Sequence, residues 1–314
     1  MRREKNHLNV RVQLEAPGSV QDLVVQPIAV AEPGEGEVLI AVRSTGLNPM
    51  DWKLFERPGA WKGVGQFPLG NGNDFSGVVE QIGPGVSQWT VGDEVFGGYP
   101  RGAQATRLVI AADRLLPKPR ALTWEQAGSM DIAGRTAVAS VRAMGIQFGE
   151  TVLVSAAAGG VGVVAAQLAL LAGARVIGTA SEHNHDFLKS LGVEPISYGA
   201  GLLQRIRTLA PEGLSAVLDN SGRETIDVAV ALGVDLQRIN TVVERDYAVR
   251  MGVQTVGMHG ADLADLREIG EHVALRRINY PIHATYPLEE VRSAYEVLRG
   301  GHVRGKVVLV PTLA

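Results

Sequence analysis

The sequence predicts an α/β protein built from two parts, an all-β barrel or sandwich followed by a doubly wound parallel sheet. From residue 8 to about 120, short apolar segments alternate with Gly, Pro and Asp, which is typical of short strands joined by frequent turns. After about residue 150, runs of four to six apolar residues alternate with longer amphipathic segments, which is the pattern of β-α-β units. A glycine-rich stretch, SAAAGGVG at 155–162, lies between an apolar run and a helical one. These three observations predict the fold class.

Composition and charge indicate a globular protein that acts on small molecules. Of the 314 residues, 46% are hydrophobic and 20% charged, and the net charge of −3 gives no electrostatic reason to expect nucleic acid or an anionic membrane as partner. The chain has no cysteine, which excludes disulfides, thiolate nucleophiles and cysteine-ligated zinc or iron–sulfur sites. The basic start, MRREKNHLNV, is followed by no apolar signal segment, so we expect a cytoplasmic protein.

Six strands are predicted for the parallel sheet, the number usual for this architecture. They lie at 151–156, 174–180, 194–198, 215–220, 237–242 and 253–258. The segment from residue 280 onward predicts a strand, a helix and an apolar last strand at 306–310. We expect this last segment to return to the first part of the molecule.

The glycine-rich stretch has the spacing G-x-G-x-x-G, with Ala157 in the place of the first glycine. The second glycine, Gly159, lets the backbone approach a pyrophosphate, and the third, Gly162, lets helix and strand pack closely. Free N–H groups at the helix start, including those of Gly160 and Val161, favour an anion. A glycine-rich turn without a ligand is the alternative. The strand before and the helix after favour a dinucleotide.

The end of the second strand discriminates between NAD and NADP. An NAD site offers Asp or Glu to the ribose hydroxyls there, whereas this strand ends in Thr179, Ala180 and Ser181. The hydroxyl group of Ser181 is a candidate hydrogen-bond donor to a phosphate. The same residue could be the N-cap of the next helix, or serve in both roles. Glu182 weakens the case for a phosphate. Further side chains within reach are His183, Asn184 and Tyr198. The pattern favours NADPH.

Five segments that span nearly the full length carry a family resemblance. They are PGEGEVLIAVRSTGLNPMDWK (33–53), GNDFSGVVEQIGPGVSQWTVGDEVFG (72–97), AGRTAVASV (133–141), GETVLVSAAAGGVGVVAAQLA (149–169) and GKVVLV (305–310). In these segments the chain resembles the zinc-independent, quinone oxidoreductase-like branch of the medium-chain dehydrogenase/reductases. The resemblance implies a GroES-like β-barrel substrate domain, residues 1–122 and 261–314, and a Rossmann domain, residues 123–260, with the active site in the cleft.

The same resemblance implies that no metal is bound. Zinc-dependent members have a cysteine where this chain has Asn48, a His-Glu pair at Asn73 and Asp74, and a third ligand near Ala133. Without a Lewis acid, oxidation of a simple alcohol is hard to rationalise. Hydride transfer from NADPH to a quinone or an α,β-unsaturated carbonyl depends on the reactivity of the cofactor itself. We expect NADP(H) and no metal.

The resemblance also supplies four candidates for the chemistry. Asn48 is a candidate donor to the acceptor oxygen, and Lys53 either stabilises oxyanion charge or is an ordinary exposed lysine. Asp51 is better explained as a helix cap than as a proton donor, and Thr136 lies either near the nicotinamide or in the core. The proton is expected from solvent. Aromatic side chains that could form an acceptor wall or belong to the core are Trp52, Phe55 and Trp61.

Other cofactor contacts are expected outside the carboxyl ends of the later strands. These candidates are Asn220, Ser221, Val242 and Val243, and the resemblance adds Gly305 and Lys306 near the nicotinamide. Two departures from the family affect this region. Asn184 stands where many NADPH-using members have a lysine, and the segment LGVDLQRINTV (232–242) lacks the usual Pro-Gly-Gly turn.

The favoured function is a zinc-independent NADPH-dependent reductase of quinones or activated alkenes. Two alternatives remain open. One is a dedicated enoyl or enone reductase of a biosynthetic pathway, and the other is an NADPH-binding sensor or structural protein without turnover. The expected partners are a small-molecule acceptor and a second copy of the chain, with neither nucleic acid nor membrane.

Overall fold

The computed structural model describes residues 9–56 and 66–312, and the chain divides into two compact units. The first unit comprises Met1–Ile132, Ile282–Gly301 and Lys306–Ala314, and the second comprises Ala133–Pro281 and His302–Gly305. Both divisions fall later in the chain than the domain borders expected after residues 122 and 260. Trp61 lies outside the described residues.

Strands and helices are numbered here in chain order. The strands are β1 Asn9–Leu14, β2 Val24–Ile28, β3 Glu37–Gly46, β4 Leu69–Gly70, β5 Asp74–Ile82, β6 Glu94–Gly98, β7 Arg107–Ala111, β8 Leu115–Pro117, β9 Thr151–Val154, β10 Arg175–Thr179, β11 Glu194–Ile196, β12 Ala216–Asp219, β13 Ile239–Thr241, β14 Ile282–Pro287 and β15 Lys306–Val310. The α-helices are α1 Pro49–Glu56, α2 Trp124–Ala127, α3 Asp131–Met144, α4 Gly160–Leu171, α5 His185–Ser190, α6 Leu202–Leu209, α7 Arg223–Ala231, α8 Arg245–Met251, α9 Leu263–Ala274 and α10 Val291–Gly300.

The first unit is organised around β3, which pairs with β5, β7 and β15. The order of the larger sheet is β14-β15-β3-β5-β6-β8, with β7 also on β3, and a smaller sheet has the order β2-β1-β4. Most side chains of β3 are buried, as expected of a central strand rich in β-branched and apolar residues. Its Val38, Ile40 and Val42 pack with Phe75 and Val95 to form the core.

The second unit contains a parallel sheet with the strand order β11-β10-β9-β12-β13. This is the 3-2-1-4-5 order of a doubly wound sheet, and the direction of winding reverses between β9 and β12. Five of the six strands expected from the apolar runs are confirmed. Ligands bind such sheets outside the carboxyl ends of the strands at the reversal, so a ligand is expected at the ends of β9 and β12.

The prediction of a sixth strand at 253–258 was wrong. Gln254 forms a single parallel bridge with Asn240 of β13. Beyond that bridge, the backbone of Val256 pairs with a side chain: its N–H donates to Asn240 Oδ1 (2.7 Å) and its carbonyl accepts from Asn240 Nδ2 (3.0 Å). Because an amide side chain satisfies the backbone groups that a strand would use, the ladder stops after one residue.

Helix α9 belongs to the second unit for local reasons. Asp262 caps it by accepting from the N–H groups of Ala264 (2.8 Å) and Asp265 (3.1 Å). Asp265 in turn forms an ion pair with Arg142 of α3. The ion pair joins α9 to α3, and the division of the chain falls after Pro281.

Candidate functional site

The glycine-rich stretch forms the turn between β9 and α4. Gly159 is the N-cap residue of α4 and carries no side chain to satisfy the first N–H groups of the helix, which have no acceptor within the helix itself. Outside its chain neighbours, and among the described residues, a Cβ on Gly159 would meet one atom within 4 Å, the carbonyl oxygen of Ala156 at 3.3 Å. The space above the loop is therefore open, and the loop fits a pyrophosphate.

Gly162 has a different role from Gly159. A Cβ at this position would lie 2.2 Å from the carbonyl oxygen of Ala156 and 2.9 Å from Cα of Ala157, both backbone atoms. No side chain fits there without moving the loop. Gly162 thus allows α4 to pack against the turn, whereas Gly159 keeps the approach of a ligand open.

Ala157, which stands in place of the first glycine, is accommodated by a glycine on the neighbouring strand. The strained residue of the turn is Ala156, with φ of 47°, and not Ala157. A Cβ on Gly178 of β10 would lie 2.7 Å from the methyl group of Ala157. Gly178 therefore provides the room that the missing first glycine would have left. A glycine within β10 was the only sequence signal for this compensation.

Gly305 closes one side of the loop. Its N–H donates to the carbonyl of Ala158 (2.7 Å), and it forms a parallel bridge with Gly159. Its φ is +73°, and a Cβ would lie 1.9 Å from the carbonyl oxygen of Pro281, so only glycine fits. Gly305, expected near the nicotinamide, thus packs by its backbone against the loop at Gly159, and its contact with the cofactor stays a prediction.

Asp219, which the sequence analysis missed, organises the strand ends at the reversal. Its Oδ1 accepts from Ser155 Oγ (2.8 Å) and from the backbone N–H groups of Ser221 and Gly222, each at 3.0 Å. Its Oδ2 accepts from Thr241 Oγ1 (2.6 Å). One buried carboxyl group therefore joins the ends of β9, β12 and β13. The signal available was an acid at the end of an otherwise apolar run, SAVLD.

The expected cofactor residues after β12 and β13 are held by this arrangement. Asn220 donates its backbone N–H to Ser155 Oγ (2.8 Å) and its side-chain amide to the carbonyl of Ser155 (3.0 Å). The Val242 N–H donates to the carbonyl of Asp219 (3.1 Å), and the Val243 N–H to Thr241 Oγ1 (3.2 Å). Ser221 is exposed at this edge, and Asn220, Val242 and Val243 are partly exposed.

At the end of β10, some of the predicted residues support the loop and the others gather in a cluster of side chains. Thr179 is buried and supports the loop, since its Oγ1 and carbonyl accept the N–H groups of Ala156 (3.2 Å) and Ala157 (2.9 Å). Ala180 is buried, and Ser181 occupies the N-cap position of a 3₁₀ turn but makes no capping hydrogen bond with its side chain. The remaining predicted side chains cluster with two residues that the sequence analysis missed: His183, Asn184 and Tyr198 with His302 and Arg304.

In the first unit, Asn48 lies in a buried cluster of polar and charged groups. Its Oδ1 accepts from the ammonium of Lys306 (2.5 Å), and its Nδ2 donates to Asp74 Oδ2 (2.9 Å). The ammonium also donates to the carbonyl of Leu47 (2.8 Å) and lies 3.6 Å from Asp74 Oδ2. Lys306, expected near the nicotinamide, therefore has its charged end within this cluster, where it orients the amide of Asn48.

Asp51 connects this cluster to a second set of buried side chains. Its Oδ2 accepts from the N–H of Asn48 (2.8 Å) at the start of α1 and from the hydroxyl of Tyr295 (3.2 Å). Its Oδ1 accepts from Asn73 Nδ2 (2.6 Å). The Tyr295 hydroxyl in turn accepts from the side-chain amides of two neighbours, Asn71 (2.9 Å) and Gln104 (2.7 Å).

Burial perturbs the ionisation of every charged group in this cluster. It raises the pKa of Asp51 to about 7, with a further contribution from the nearby carboxyl of Asp74. It also raises the pKa of Asp74, which Lys306 opposes, and lowers the pKa of Lys306 itself. The pKa of Tyr295 is raised by burial and by the charge of Asp51. Two carboxyl groups thus share one ammonium, and a proton on Asp51 makes the cluster neutral.

The donor set around Asn48 does not fit a metal ion. The ammonium of Lys306 occupies the oxygen of Asn48 and lies next to Asp74, so a cation is already provided by the chain. Within residues 9–56 and 66–312, no three His, Asp or Glu side chains are grouped as metal ligands would be.

The other candidates occupy simpler environments. Lys53 is exposed on α1, and Thr136 is buried within α3. Trp52 and Phe55 are buried, and Trp52 meets the ring of Tyr295 edge-on with 5.9 Å between ring centroids. Both aromatic side chains are part of the packed interior of the first unit.

The matches to known proteins agree on one family of dehydrogenases and reductases. Residues 34–120 match the model of the alcohol dehydrogenase GroES-like domain, and residues 160–233 match that of the zinc-binding dehydrogenases. A mycocerosic acid synthase-like polyketide synthase of Mycobacterium tuberculosis is 30% identical over 96% of this chain. The chain spans 15% of the length of that relative.

Two solved structures superpose over nearly the whole chain. The quinone oxidoreductase of Coxiella burnetii is 28% identical, with a TM-score of 0.84 over 96% of this chain and 99% of that one. The CurK enoyl reductase is 25% identical, with a TM-score of 0.84 over 97% of this chain and all of that one. The predicted fold class, a GroES-like β-barrel domain with a Rossmann sheet, is confirmed. In the part of the chain that the structure describes, none of the helices has the length and hydropathy needed to cross a membrane.

Proposed function

The chain belongs to the medium-chain dehydrogenase/reductase superfamily, and we propose that it is an oxidoreductase that binds NADPH and, without a metal, reduces a quinone or an α,β-unsaturated carbonyl compound. The observation that carries the proposal is the loop at Gly159, where an open backbone approach meets the first N–H groups of α4 at the winding reversal of the sheet.

The choice of NADPH over NADH rests on the end of β10. No carboxyl group stands on Thr179, Ala180 or Ser181, where an NAD site would hold the ribose hydroxyls. Arg304 donates to Asn184 Oδ1 (3.0 Å) and brings a guanidinium to the same edge. A guanidinium with neighbouring imidazole and hydroxyl groups suits a phosphate better than it suits two hydroxyls.

The class of hydride acceptor is inferred from the cofactor and from the side chain proposed to contact the acceptor. When bound, NADPH supplies a hydride, so the acceptor must already be electrophilic. Asn48, fixed by Lys306 and Asp74, is the side chain proposed to donate a hydrogen bond to the acceptor oxygen, and solvent supplies the proton that completes reduction. The two superposed structures are a quinone oxidoreductase and an enoyl reductase, and quinones and enoyl groups are acceptors of this kind.

A dedicated enoyl reductase is the second candidate. The match to a short part of a much longer polyketide synthase favours it, because such a synthase is a biosynthetic enzyme, and the chain also superposes on the CurK enoyl reductase. Turnover of an aliphatic enoyl thioester in preference to quinones would identify this activity. We also propose a homodimer, since β13 at the edge of the parallel sheet has one bridged neighbour residue, Gln254, within the described chain.

The test is an anaerobic titration with NADPH and NADH followed by nicotinamide fluorescence, and then addition of a naphthoquinone or an aliphatic enone. We expect tighter binding of NADPH and its oxidation by at least one acceptor. Binding without oxidation by quinones, enones or enoyl thioesters would leave an NADPH-binding sensor and contradict the reductase. No binding of either cofactor would contradict the assignment of the loop.

A variant tests the loop directly. Gly159→Ala places a methyl group 3.3 Å from the carbonyl oxygen of Ala156, which needs to shift by only a few tenths of an ångström, so the protein should fold and melt only slightly below the wild type. The same methyl group obstructs the approach of a pyrophosphate, and NADPH affinity should fall at least tenfold. Unchanged affinity would mean that no ligand lies against Gly159.

A further inference from the structure

Two histidines from distant parts of the chain meet beyond the end of β10. His183 comes from the 3₁₀ turn Glu182–Asn184, and His302 from the segment 302–305. Their ring centroids lie 5.9 Å apart at an interplanar angle of 70°. His183 Nε2 is 3.3 Å from the carbonyl oxygen of His302 and 3.2 Å from Asn184 Nδ2, and both histidines are exposed. The pair therefore faces solvent at the edge where the 2′-phosphate of NADPH is proposed to lie.

The backbone at this pair is held in an unfavourable conformation. His302 has φ of +62°, in the left-handed region, which is unfavourable for a residue with a side chain. Arg304 fixes the segment by donating to Asn184 Oδ1 (3.0 Å) and to the carbonyl of His183 (3.4 Å), and its guanidinium lies 4.7 Å above the ring of Phe187. The strain is maintained by these contacts and keeps His302 beside His183.

Tyr198 completes the cluster from a loop that is itself anchored. Its hydroxyl is 3.4 Å from His302 Nδ1. Arg205 donates to the carbonyl groups of the four consecutive residues 197–200, at 2.8 to 3.2 Å. The N–H of Gly199 donates to Glu224 Oε2 (3.1 Å). The loop therefore presents Tyr198 at a fixed position next to the histidine pair.

Building on the function proposed above, we propose that His183 and His302 take up protons when the 2′-phosphate of NADPH binds, so that the preference for NADPH over NADH is controlled by pH. A phosphate monoester carries a charge of about −1.5 to −2 at pH 7. An anion near an imidazole favours its protonated form, and imidazole is the side chain that gains its charge near neutral pH. The site thus binds the phosphate with the positive charges that the two imidazoles gain on binding, in addition to the fixed positive charge of Arg304.

The other charged groups near the two histidines do not neutralise the charge of a bound phosphate. Arg304 is a fixed cation in contact with His183, and Glu182, directly before His183, is an exposed acid. Asp186 is paired with Lys189 at 3.2 Å. Tyr198 supplies an uncharged hydroxyl to His302. An incoming dianion is therefore balanced when both imidazoles are protonated.

The experiment is calorimetric titration of the full chain with NADPH and with NADH at pH 7, in two buffers of different ionisation enthalpy. The dependence of the observed heat on the buffer gives the number of protons taken up. We expect one to two protons with NADPH and close to none with NADH. Across pH 6 to 8, the affinity for NADPH should fall about ten- to a hundredfold, and that for NADH should change little.

Variants separate the proposal from simpler explanations. His183→Asn combined with His302→Asn should abolish the proton uptake and flatten the pH dependence, and it should lower the affinity for NADPH more than that for NADH. His283→Asn, an exposed histidine in the first unit, is the matched control and should behave as the wild type. Tight NADPH binding without proton uptake, or a pH dependence that survives in the double variant, would overturn this inference and leave the proposed function standing. Failure of NADPH to bind at all would overturn both.

Discussion

Replacing Asp51 by Asn should change how the stability of the protein depends on pH. The Asp51 carboxyl group is buried, and its pKa rises from 3.8 to about 7 on folding. A difference of about three pH units corresponds to roughly 4 kcal/mol, at about 1.4 kcal/mol per unit. Asn keeps an acceptor for the N–H of Asn48 and the hydroxyl of Tyr295, and its amide can donate to Asn73 once that side chain is turned over. The substitution thus removes the charge and preserves the hydrogen bonds.

The sign of the effect follows from which state binds the proton. Between pH 3.8 and about 7, the folded protein holds a proton on Asp51 that the unfolded chain has lost. The free energy of unfolding of the wild type therefore decreases as the pH rises through this window and stays lowered above it. Because Asn does not titrate, the variant escapes this loss. From pH 5 to pH 8, Asp51→Asn should gain roughly 3 kcal/mol relative to the wild type.

Urea unfolding followed by tryptophan fluorescence at intervals from pH 5 to 8 measures the difference. Asp113→Asn, at an exposed carboxyl group on the first unit, is the matched control and should give a curve parallel to that of the wild type. If Asp51→Asn also gave a parallel curve, Asp51 would be ionised in the folded protein throughout this range. The account of a buried proton would then be refuted.

Three further substitutions have defined outcomes. Gly162→Ala places a methyl group 2.2 Å from the carbonyl oxygen of Ala156, so it should lower the free energy of unfolding by about 1 to 3 kcal/mol, measured by urea unfolding. Tyr295→Phe removes the acceptor of two buried amide groups and should cost about 1 to 3 kcal/mol in the same assay, with no loss if water replaces the hydroxyl. Lys306→Met leaves Asp74 without its buried cation, and we expect a loss of about 3 to 5 kcal/mol at pH 8 that is smaller at pH 5, where the carboxyl groups can be protonated.

Much of the fold follows from local sequence pattern. The apolar runs at 151–156 and 174–180 could be assigned as parallel strands because buried strands of this class are continuously hydrophobic. The same reasoning failed at 253–258, since it counts side-chain hydropathy and cannot register that the amide of Asn240 takes the backbone partners of Val256. A hydrophobic run predicts burial, but pairing also needs free backbone groups on the neighbouring strand.

The candidate site was less accessible to such reasoning because its contacts join distant residues. The loop at Gly159 could be predicted since its glycines are contiguous and follow a strand. Nothing local indicates that His302 lies beside His183, or that Lys306 reaches Asn48. Asp219 was missed for the same reason, because its partners come from three separate strand ends.

Transfer of deuterium from the cofactor tests the central claim most directly. Samples of NADPH labelled with deuterium on either face of nicotinamide C4 would be mixed with the protein and an aliphatic enone without oxygen, and the reduced product examined by mass spectrometry. If the chain is a reductase that directs a hydride to an activated acceptor, one of the two labelled samples will give a product with one carbon-bound deuterium, while the proton at the adjacent carbon comes from water. Product that carries no deuterium from either sample, or the absence of product with every activated acceptor tried, would contradict the account.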